Sequence, residues 1–112
     1  MGLLSSTETY TTTGTKTSRN ADPSIVPFNL NVNFDLSNGG SVSYKLQYTY
    51  DSFDSPSMTD ASATWYDSTV IPAGTSASAA QQFTAPVTRV RAVIASLTGS
   101  LKMTMNQGMS TN

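Results

Sequence analysis

Four aspartates gather in the middle of the chain: Asp51, Asp54, Asp60 and Asp67. Carboxylates are the hard oxygen ligands that Ca²⁺ takes, and a pair of them can act as acid and base in glycoside hydrolysis. The spacing suits neither use. It matches no dedicated Ca²⁺ loop, the glycine for a sharp turn is missing, and nothing sets two carboxylates across a cleft. They read as solvated loop carboxylates. The chain has no His and no Cys. That removes the commonest general base, the commonest metal ligand, any thiolate nucleophile and any disulfide. Ser and Thr abound, yet none stands in a G-x-S-x-G setting. The expectation is a protein that is not an enzyme and has no metal or cofactor.

The cations offer binding rather than catalysis. Arg89 and Arg91 alternate with apolar residues on one strand face, and a closing hairpin brings Lys102 near them. Such a row could meet an acidic partner, or could be a solvated face whose charges discourage edge pairing. Net charge is −1 and only 12% of residues are charged, so the basic footprint of a nucleic-acid binder is missing. No apolar run is long enough to cross a membrane. The start of the chain lacks the basic region and long apolar core of a signal peptide, as expected for a product made in the cytoplasm. Sparse charge gives a free monomer little colloidal repulsion and suits a subunit packed in an assembly.

The elements that must position these residues are strands. Phe28, Leu30, Val32, Phe34 and Leu36 alternate with polar residues, and so do Val42, Tyr44, Leu46, Tyr48 and Tyr50. Period-2 alternation on both sides of Asn38-Gly39-Gly40 predicts two half-buried strands. A three-residue hairpin loop would set Phe34 opposite Tyr44, with Gly40 at positive φ. The alternative is that the loop crosses between two sheets. A second hairpin is expected where Val90, Ala92 and Ile94 face Leu101, Met103 and Met105 across the loop 96–99. Residues 63–70 read as a strand anchored by Trp65, and residues 75–82 as a loop or weak edge strand. The expected core is Val32, Phe34, Leu46, Trp65, Val90, Ile94 and Met103, with Tyr66 left exposed.

Length and pattern predict one domain. Residues 1–22, rich in Ser and Thr, form an arm that orders on a neighbouring subunit, or else an edge strand. Residues 23–107 form an all-β antiparallel sandwich, and residues 108–112 a polar tail. The expected partner contacts are Thr7, Tyr10, Thr12, Lys16 and Arg19 on the arm, with Tyr66, Arg89, Arg91 and Lys102 on the sandwich.

Several runs carry a family resemblance: 47–51 (QYTYD), 63–67 (ATWYD), 83–91 (FTAPVTRVR) and 98–105 (TGSLKMTM). Over roughly residues 42–107 the chain resembles short all-β structural proteins of tailed-phage virions, whose genes lie among head genes. The resemblance implies a jelly-roll or immunoglobulin-like sandwich and a head decoration or cement role. It further implies contacts with the major capsid protein or other virion subunits, a homo-oligomer in the particle, and residence in the virion. A neck or tail component is the next alternative. The same order of features is also similar to discoidin-like carbohydrate-binding sandwiches.

Overall fold

A computed structural model describes residues 3–21, 28–53 and 57–108. Asp54, residues 22 and 23, and the tail 109–112 lie outside the described residues. The described chain is all-β: β1 (Leu3–Tyr10), β2 (Gly14–Thr15), β3 (Arg19–Asn20), β4 (Leu30–Leu36), β5 (Ser41–Thr49), β6 (Tyr66–Asp67), β7 (Ala79–Phe83), β8 (Arg89–Thr98) and β9 (Leu101–Gly108). They form two antiparallel sheets, β1-β9-β4-β7 and β2-β8-β5-β6, with β3 also pairing β8. The fold is the expected β-sandwich.

Neither expected hairpin forms. β4 and β5 lie in opposite sheets, and so do β8 and β9. The hydrogen-bonded pairs are exchanged instead: Phe34 stands across from Met103 and Val32 from Met105, while Tyr44 stands across from Ile94 and Leu46 from Ala92. Phe34 and Tyr44 do meet, but from opposite sheets, with ring centroids 4.9 Å apart and the planes tilted by 53°. The β4–β5 and β8–β9 segments are thus arches, each folding its own two apolar faces together. The alternation is satisfied by a hairpin or an arch alike, because both send the same side chains inward. The arch closes a two-layer core, whereas a hairpin would leave its apolar face to be covered by another element.

The two arches meet at their loops. Ser37 N–H donates to Ser100 O, and Ser100 N–H donates to Ser37 Oγ, both at 2.9 Å. Positive φ falls on Gly39 and not on Gly40. Gly40 is required for space instead: a Cβ there would lie 2.7 Å from Thr98 O and 2.9 Å from Ser37 Oγ.

Tyr44, Phe34, Leu30, Leu46, Ile94, Leu101, Met103, Val32 and Val90 are fully buried between the sheets. The register of β5 on β8 shifts between Ser43 and Tyr44, so that Ala95 has no partner. This bulge changes the phase of β8 and turns Leu97 toward the core as well as Ile94. Burial pushes the Tyr44 phenol up to about 12, with Asp35 adding to the effect, and its hydroxyl donates to Ala77 O at 2.9 Å.

The N-terminal segment is an edge strand of this domain. β1 pairs with β9 along its whole length, and β2 and β3 continue on the other sheet. Thr7 and Thr9 of β1 suit extended backbone, and β9 offers the strand a partner edge. An arm that waits for a neighbouring subunit is therefore not what residues 3–20 form. Residues 79–83 are the weak edge strand, paired to β4.

Candidate contact surface

The side chains expected to touch partners separate onto three parts of the sandwich. Arg89 and Arg91 lie on the outer face of the β8-β5 sheet. Lys102 lies on the outer face of the other sheet, across from Asp35, with Nζ 3.9 Å from its carboxylate. The expected single row of three cations does not exist. It required β8 and β9 to be hairpin neighbours, and the arch puts the whole core between them.

Phe53 and Trp65 cover Arg89 and Arg91. The Arg91 guanidinium lies over the Trp65 ring at 4.1 Å, and that of Arg89 over Phe53 at 4.3 Å. Arg91 Nε donates to Gln47 Oε1 at 2.8 Å. Trp65 Nε1 donates to Asp60 O at 2.8 Å. The Asp60 carboxylate accepts from Ser18 N–H at 2.9 Å and from Ser18 Oγ at 2.6 Å, and Arg89 Nη1 donates to the same Oγ at 3.0 Å. Burial alone would raise the Asp60 carboxyl. The two bonds from Ser18 and the nearby Arg89 and Arg91 outweigh it and hold the group below its ordinary range. Burial also lowers Arg91, with Asp60 opposing. The cations are thus engaged within the domain by a clasp of loop, strand and N-terminal segment.

This clasp also relocates Trp65. It was expected as a core anchor and is instead half-buried on the outer face. The reason is phase. Tyr66 pairs with Tyr48 across β6 and β5 and shares its inward side, so the preceding residue points outward. The strand expected over 63–70 shrinks to Tyr66–Asp67, because the Ser68 hydroxyl turns the chain by accepting from the Val70 and Ile71 N–H groups.

The aspartates serve separate tasks. Asp51 accepts from Thr64 N–H at 2.6 Å. Asp67 accepts from Gln47 at 2.8 Å and pairs with Lys45 at 3.1 Å. Among the described residues no three metal-ligating side chains converge.

On the β1 side, Thr7 and Thr12 are exposed. Tyr10 is not the exposed contact it was expected to be: it is buried, with its hydroxyl 3.6 Å from Met103 sulfur. Lys16 lies 5.8 Å from the Tyr10 ring centre and donates to Thr12 Oγ1 and Thr13 O. Arg19 pairs with Glu8 at 2.7 Å and so ties β3 to β1 across the open side of the sandwich.

On the opposite side, Ser68 and Gln81 hydrogen-bond between the β6 and β7 regions. There Tyr66 is exposed as expected, and Tyr50 joins it. Alternation alone left Tyr66 as the exposed aromatic; Tyr50 is exposed as well because it lies one residue beyond the end of β5.

Comparison with protein-family models, with curated proteins and with solved structures finds no match.

Proposed function

We propose that this chain is a structural subunit of a tailed-phage virion that decorates or cements the head shell. The carrying observation is the outer edge of β1. β1 ends its sheet, and no strand among the described residues pairs with its other side. Its eight residues hold no Lys, Arg or Pro and one carboxylate, Glu8, which Arg19 already neutralises. Natural edge strands carry such guards against strand addition, and β1 has almost none. An edge of this kind accepts a strand from a neighbouring subunit, and many modest contacts add by avidity on a lattice. The segment expected to order on a neighbouring subunit is here the edge that accepts the neighbour's strand. The resemblance over residues 42–107 supplies the particle, and the major capsid protein or another copy of the chain supplies the strand. Thr7 and Thr9 are exposed on the same strand and lie within this contact.

The test is incorporation. Particles assembled with the Thr7→Lys/Thr9→Lys variant are purified and their subunit content is measured by quantitative mass spectrometry. The wild-type chain is expected at fixed stoichiometry, and the variant, folded by its melting curve, at a small fraction of it. Wild-type chain absent from particles would end this reading. A variant present at full occupancy would move the contact away from β1.

A further inference from the structure

We propose that Tyr48, Tyr50 and Tyr66 form a binding site for a neutral carbohydrate, with a pyranose ring stacked on the two exposed tyrosines. This inference stands apart from the assembly reading. The tyrosines sit on the β6-β7 side of the sandwich, and the β1 edge is on the other.

The cluster is built before any ligand arrives. Tyr48 stacks with Tyr66 at 5.8 Å and 29°. Tyr50 braces both, at 5.7 Å from Tyr48 and 5.8 Å from Tyr66. Phe83 of β7 packs edge-on against Tyr48 at 5.4 Å and fixes the base of the group. Beyond that cover Tyr50 is 52% and Tyr66 47% exposed. Rings held by one another lose little further freedom on binding. None of the three hydroxyls bonds to another described residue, so each can both donate and accept.

Charge selects the ligand class. Both arginine–aromatic pairs of this sheet belong to the clasp on its outer face, and Lys45 is paired with Asp67. No cation touches the tyrosine rings, so a phosphate backbone would find no track to follow. A neutral ligand with an apolar face and hydroxyl edges fits instead, which describes a pyranose. Size argues against a protein partner. Two half-exposed tyrosines offer about 200 Å², against about 800 Å² per partner in a stable interface. The other large exposed hydrophobic among the described residues is Val70 alone, too little to extend the patch.

The experiment titrates the full chain with maltohexaose, cellohexaose and chitohexaose, each to about 10 mM, and follows the tyrosine ring signals by NMR. At least one sugar is expected to shift the Tyr50 and Tyr66 rings. Tyr66→Ala is expected to weaken that binding about tenfold, and Tyr66→Phe, which keeps the ring and the fold, to retain most of it. Three results would overturn the proposal: no ring shift with any of the three sugars, equal affinity in a folded Tyr50→Ala/Tyr66→Ala double variant, or a change of oligomeric state in that variant by light scattering. The last would make the patch a protein interface.

Discussion

The outer faces of the two sheets begin from similar strands and finish differently. On the β9-β4 sheet the outward residues are Asn31, Asn33, Asp35, Lys102, Thr104 and Asn106, and among the described residues Lys102, its one cation, stacks on no ring. On the β8-β5 sheet they include Arg89, Arg91, Gln47 and Thr49, and a loop lies over them. Thr49 is fully buried although it points away from the core. The difference teaches what it takes to attract a cover. Small polar side chains can be hydrated where they stand. Arginines offer planar guanidinium surfaces on which Trp65 and Phe53 can rest, with donors left over for Gln47 and Ser18. A third layer is therefore added to one sheet, and it is built from a loop.

Mutations can break or sharpen that comparison. The largest effect is expected from the layer that both faces share. Phe34→Ala opens a cavity between the sheets against Tyr44 and should cost about 3–5 kcal/mol in urea unfolding. Trp65→Ala strips the cover from Arg91 and leaves Asp60 O without its donor, at about 1–2 kcal/mol. If the two losses were equal, the outer layer would have to be counted as core.

Asp60→Asn tests the electrostatic part of the clasp. The folded carboxyl lies below its unfolded value of about 3.9. Its contribution is therefore complete above that pH and is lost as pH falls through the folded value. Wild-type melting temperature should drop below about pH 4, and the Asn variant should show a shallower drop from a lower starting point. Equal acid slopes would assign the drop to other carboxylates. The smallest effect is expected on the bare face. Lys102→Ala removes a long, exposed ion pair with Asp35 and should change stability by less than about 0.5 kcal/mol. A larger loss would mean that the face is less bare than its contacts suggest.

What the sequence by itself determined was which side chains face inward. Val32, Phe34, Leu46, Val90, Ile94 and Met103 were all legible from alternation, because a residue's side of a strand depends only on its place in the run. Tyr66 is exposed as expected, but not by parity: it shares the inward side of Tyr48 and is exposed at the end of its sheet. Partnership was another matter. Asn38-Gly40 and residues 96–99 carry turn chemistry that serves a hairpin and an arch equally, and only the folded whole decided for arches. Trp65 was misplaced for a related reason: its size argued for the core, but Ser68 and the pairing of Tyr66 with Tyr48 set its phase. The clasp itself was out of reach. Ser18, the loop that holds Asp60 and Trp65, and Arg89 lie far apart along the chain, and the bonds that join them exist only once the strands and that loop have been brought together. Local pattern records the side on which a residue lies, and long-range closure decides what it touches.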